Sequence, residues 1–147
     1  MIRLSNTDAR YPSSVWHTAP MAEKNTRWGY AREDWDRAKR QVKDILIEHA
    51  RRRETTTYSG LCADVSAIRL RPYSWALMAM LGEVCSEEDA ARGTMLASLV
   101  TKKSGDGLPG AGYFRHAERL GRDISDPRAF WESEVERIFA VWSEEAQ

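Results

Sequence analysis

Two cysteines, three histidines and several adjacent carboxylates are the residues of this sequence whose side chains could make or break a bond. Nucleophilic catalysis needs a Ser, Cys or Thr held beside a base. The three histidines, His17, His49 and His116, stand far apart in unrelated stretches of the chain. His49 falls on the apolar stripe of a helix and reads as a packed or capping residue, and His116 reads as an exposed position on a short helix. Cys62 and Cys85 form no CxxC pair and have no histidine at metal spacing, so they read as buried thiols. The pairs Glu87-Glu88 and Glu144-Glu145 are neighbours in sequence, point different ways on a helix, and read as solvated faces. The glycine-rich stretch Gly105 to Gly112 reads as having neither the GxxxxGK[ST] order of a phosphate loop nor the GxGxxG spacing of a phosphate cradle. The expectation is a non-enzymatic protein with no catalytic residue, no metal ligand, no cofactor and no small-molecule substrate.

The elements that would position any site follow from periodicity and punctuation. Residues 1–29 mix Ser, Thr, Asn, Pro and isolated aromatics without a period, and read as an irregular arm carrying Trp16 and Trp28. From Asp34 to Arg53, Trp35, Ala38, Val42, Ile45, Leu46 and His49 recur at helical spacing, with acids at the start and Arg51 to Arg53 at the end. Glu54 to Tyr58 is a threonine-rich strand, and Ser59 caps a short helix running to about Val65. Pro72 breaks the chain before a helix over Tyr73 to Ala91, which Gly93 stops. Thr94 to Thr101 reads as a strand entering a turn at Lys102 to Gly107. A short helix through Tyr113, Phe114, Ala117 and Leu120 ends at Gly121. Ser125-Asp126-Pro127 starts a terminal helix with Trp131, Val135, Ile138 and Trp142 on its apolar stripe, and Glu132, Glu134, Glu136 and Arg137 around the rest.

One domain is expected from 147 residues, of which 42% are hydrophobic and 30% charged. It comprises residues 30–147 with the arm before it. Twenty-two basic groups balance 22 acidic ones, which removes any bulk electrostatic reason for nucleic-acid binding. The distribution is uneven, with five basic against two acidic groups over 51–72 and over 94–122, and two against seven over 123–147. The N-terminal stretch has no apolar h-region and no apolar run is long enough to span a bilayer, so a cytoplasmic protein without membrane contact is expected.

The order helix, Thr-rich strand, short helix, turn, longer helix, strand, glycine-rich turn is that of a winged helix-turn-helix with an additional C-terminal helix. The fold class expected is mainly α with a small β element, α+β. The segments Thr57-Tyr58-Ser59-Gly60-Leu61 and Met95 to Phe114 resemble small winged-helix domains of bacterial and phage proteins. They are distantly similar to the DNA-binding half of the alkyltransferase-like proteins. The resemblance covers residues 35–122, and the Pro-Cys-His-Arg tetrad of true alkyltransferases is absent, so alkyl transfer is not implied. What it implies is a binding fold, whose function must be argued from the site.

On double-stranded DNA, Arg69 and Arg71 before the third helix and Lys102 and Lys103 on the wing would face phosphates, with Tyr73, Ser74 and Trp75 opening the groove-facing helix. Glu83, Glu87, Glu88 and Asp89 on the same helix oppose that placement. The rival expectation is a protein-interaction adaptor or immunity-type protein, with Trp16 and Trp28 as the contacts to a protein partner.

Overall fold

The computed structural model describes residues 25–145, and the chain divides into two units, one ending at Asp36 and one beginning at Arg37. In the first unit, β1 (Thr26–Arg27) pairs antiparallel with β2 (Tyr30–Ala31). The two turn residues, Trp28 and Gly29, have φ of 54° and 84°, the left-handed pair that a two-residue hairpin turn demands. Arg32 N–H closes the hairpin on Asn25 O at 2.7 Å. Trp35 is fully buried, with the Tyr30 ring 6.2 Å and the Arg27 guanidinium 5.8 Å from its ring. The last residues of the expected irregular arm are therefore a hairpin, whose only local sign is Gly29. Trp16 lies outside the described residues.

Helix α1 (Arg32–Arg51) carries Glu33 and Asp34 in its first turn and His49 and Arg51 in its last, matching the helix dipole. In the second unit it buries Ala38, Val42, Leu46 and Ala50, four positions at a spacing of one turn. Strand β3 (Thr56–Thr57) leads directly into α2 (Tyr58–Asp64). The cap is Thr57, whose Oγ1 accepts the Gly60 N–H at 3.0 Å, and not Ser59, because the helix starts two residues earlier than the pattern predicts. Gly60 is required there, since a Cβ would stand 2.9 Å from Thr56 Oγ1.

Helix α3 (Trp75–Arg92) opens on Ser74, which accepts from Leu77 N–H, and closes on Gly93 at φ 71°. The apolar run after it is a 3-10 turn over Leu96–Leu99, every residue of it buried, and only Val100–Thr101 is strand (β4). The expected strand over Thr94–Thr101 is thus shortened to its end. A segment buried on all sides shows no period by which strand and helix can be told apart. β4 pairs parallel with β3 in the register Thr56↔Val100 and Thr57↔Thr101. Helices α4 (Ala111–Arg119) and α5 (Pro127–Glu145) complete the chain, the latter started by Asp126, whose Oδ1 accepts Ala129 N–H. The protein is mainly helical with small strand pairs, an α+β arrangement. No helix among the described residues is long and apolar enough to cross a membrane.

The 3-10 turn is the hub of the second unit, packed between α3 and α5. Trp131 Nε1–H donates to Ser98 O at 2.8 Å, and the Ser98 and Tyr113 hydroxyls share a buried hydrogen bond. Glu134, expected on the solvated side of α5, is buried. Its carboxylate accepts the Met95 N–H at 2.7 Å and pairs with Arg137 at 2.7 Å. A backbone donor enclosed in the core needs an acceptor, and this one reaches across from α5.

Candidate nucleic-acid interface

The chain from Arg69 to Trp75 presents cations and aromatics at the start of α3. Arg69, Arg71, Tyr73 and Trp75 are exposed, Tyr73 at 62% and Trp75 at 78%. Burying a tryptophan gains more than burying almost any other side chain, and here two large aromatics are left outside the core within three residues. Tyr73 has φ of 63°, a left-handed backbone that costs a non-glycine residue roughly 1–2 kcal/mol. The conformation is held from below. The Tyr73 ring lies 5.1 Å from that of Tyr58, whose hydroxyl accepts the Gly110 N–H at 2.9 Å. Ser74 is committed as the cap of α3, so its oxygen serves the helix and its position serves the site.

The carboxylates that argued against DNA are each held by a cation. Lys39 reaches Glu83 at 3.2 Å and Glu87 at 2.8 Å. Glu88, expected on a solvated face, is fully buried between Lys43 at 3.2 Å and Arg92 at 3.1 Å. Asp89 pairs with Arg122. The acid of α3 is therefore spent on attaching the helix to α1 and to the chain beyond α4, and its first turn, Trp75 to Met78, carries no charge, with Arg69 and Arg71 in the chain before it. The Arg51 to Arg53 run goes the other way. Arg51 and Arg52 pair with Glu48, and Arg53 lies 3.5 Å from Glu136, which makes the run a solvated helix end.

The segment expected to be a wing is a loop closed by Lys102 N–H on Leu108 O at 3.0 Å, after which the chain enters α4 and not a second wing strand. Lys102 and Asp106 form an ion pair at 3.0 Å, and the Leu108 N–H and the Lys102 ammonium hold the Asp106 carboxyl below the usual carboxylate range. Lys103 is exposed at the tip. The glycines at 105, 107 and 110 do stand at the GxGxxG spacing between β4 and α4. Two N–H groups such a cradle would offer a phosphate are already taken, Leu108 by Asp106 and Gly110 by Tyr58, and an acidic side chain inside the loop opposes an anion.

Compared with protein-family models, with curated proteins and with solved structures, the chain matches none. The reading of the site therefore rests on its own geometry.

The packing of α3 against α4 is what local pattern reading missed. A Cβ placed on Gly112 would fall 2.9 Å from Met78 Cε and 3.9 Å from Arg115 Nη2, so the α3 and α4 side chains converge one turn beyond Trp75. No periodicity signals this, because it joins two helices through a glycine. Cys85 is buried as expected whereas Cys62 is only half-buried, and burial pushes Cys62 up to about 11 and Cys85 up to about 12, which leaves few thiolates at neutral pH. His49 Nδ1 lies 2.9 Å from Ile45 O, the packed role expected of it. His116 is half-buried, 3.4 Å from Ser86 Oγ, and burial lowers its pKa.

Proposed function

We propose that this protein binds DNA, with no chemistry of its own, by setting the amino-terminal end of α3 against the nucleic acid in the manner of a winged helix. The observation that carries the reading is the exposed start of α3, where Arg69, Arg71, Tyr73 and Trp75 stand together while the acids farther along the helix are each paired. The helix order supports the winged-helix comparison, while the β3 to β4 pair is parallel and the loop after it leads into α4 in place of a second wing strand. In this reading Arg69, Arg71 and Lys103 meet phosphates, which position the protein without reading sequence.

Fluorescence anisotropy with a labelled mixed-sequence duplex tests this. Affinity is expected to fall steeply between low and moderate salt, and Arg71→Ala should weaken binding to every sequence alike and flatten the salt slope by about one. No binding at low salt removes the reading. Asp106→Asn supplies a test of opposite sign. Asparagine keeps an acceptor for Leu108 N–H but releases Lys102 from its ion pair, so duplex binding should tighten and the salt slope steepen by about one. Unchanged binding would place the 102–108 loop away from the DNA.

A protein-interaction role is the second reading, favoured by Trp28, which is 52% exposed at the tip of its hairpin. Trp28→Ala should leave duplex binding unchanged if DNA is the ligand, and abolish partner capture if the hairpin is an adaptor surface.

A further inference from the structure

We propose that Trp75 and Tyr73 take an unpaired base of DNA, so that the α3 surface prefers a duplex interrupted by single-stranded nucleotides over an intact one. The proposal rests on the DNA-binding reading above and names what that surface holds. Phosphates call for cations and backbone donors, and neither needs an exposed indole. The base faces of an intact duplex are covered by their neighbours, whereas an unstacked base presents a flat π-face that a tryptophan or tyrosine can cover without regard to its identity. Trp75 is the most exposed large apolar side chain among the described residues at 78%, and Tyr73 follows at 62%.

The second line is charge placement. Arg71 is exposed two residues before Tyr73, and α4, which carries exposed Arg115, packs its Gly112 on Met78, one helical turn after Trp75. Exposed Arg71 in the chain just before the two aromatics supplies positive charge of the kind a nucleic-acid backbone beside a stacked base requires. The third line is the support beneath Tyr73. Its left-handed backbone and its contact with Tyr58, itself fixed by the Gly110 N–H, hold the ring outward on a base of two packed segments. Ring orientation set in advance reduces the ordering that binding must impose.

The experiment compares three labelled probes of one sequence by anisotropy: an intact duplex, the same duplex with a three-nucleotide gap in one strand, and the gapped strand replaced by RNA of the same sequence. The gapped DNA duplex is expected to bind about tenfold tighter than the intact one, the scale of one stacked base. Trp75→Ala should bring the gapped and intact duplexes to equal affinity, Trp75→Phe should keep most of the difference between them, and Lys103→Ala should weaken both probes by the same factor and keep that difference. Circular dichroism melts of each variant establish that the fold survives, as expected for a side chain so exposed. Equal binding of intact and gapped duplexes overturns the proposal and leaves DNA binding standing, and so does a gap preference that Trp75→Ala does not touch. Tighter binding of the RNA-containing probe overturns the choice of DNA. Binding of none of the probes overturns both the proposal and the function on which it rests.

Discussion

Leu99→Ala is expected to lower the unfolding free energy by about 2–5 kcal/mol, read as a lower urea midpoint at unchanged slope. Leu99 is fully buried in the 3-10 turn over Leu96–Leu99, and that turn packs against both α3 and α5. Truncation leaves a cavity that two helices line and neither can fill without leaving the other. The size of the loss also separates two descriptions of the segment. A strand alternating between a buried and an exposed face would make one of Ser98→Ala and Leu99→Ala nearly neutral. With all four residues enclosed, both should destabilise, Ser98→Ala by stranding the buried Tyr113 hydroxyl. A loss below about 1 kcal/mol for Leu99→Ala would contradict this packing.

Glu134→Ala should cost about 1–3 kcal/mol, the penalty for leaving a buried donor without an acceptor. The donor is the Met95 N–H, which finds Glu134 Oε2 at 2.7 Å. Glu134→Gln keeps a carbonyl oxygen at the same reach and should recover most of the loss. Arg137→Ala should cost less than Glu134→Ala, because that side chain is 49% exposed and solvent can replace much of its pairing. Urea unfolding of the three variants, with amide exchange at Met95 as the local probe, checks the order. Equal losses in Glu134→Ala and Glu134→Gln would show that charge, and not the acceptor, is what Met95 needs.

What could be read in the residues and what could not divide along one physical line. Helices α1, α3 and α5 announce themselves because one face of each is buried and the other wet, and Gly93 and Asp126-Pro127 are local punctuation whose effect does not depend on distant contacts. The 3-10 turn does not announce itself, because four consecutive buried residues carry no alternation. Glu88 and Glu134 were read as solvated since a carboxylate is rarely enclosed. Their burial depends on Lys43 and Arg92 for one and on the Met95 N–H for the other, partners separated from them by at least one other element or by a helical turn that could have faced water. The approach of α4 to α3 depends on Gly112, whose missing Cβ lets Met78 Cε pack against it.

The parallel contact between β3 and β4 has a consequence for the order in which the chain acquires its structure. Thr101 Oγ1 donates to Thr56 O across 45 residues, and closing a loop of that length costs roughly 3 kcal/mol of chain entropy. Two residues per strand cannot offset that by their own hydrogen bonds, and a parallel pair has no tight turn to nucleate it. The pair therefore forms after α3 and the 3-10 turn have docked and delivered Val100 to Thr56. Tyr58 follows β3 directly and Gly110 lies at the exit of the loop after β4, so the platform beneath Tyr73 is assembled in the same late step. Before that step the helices can stand while the support beneath Tyr73 is still missing.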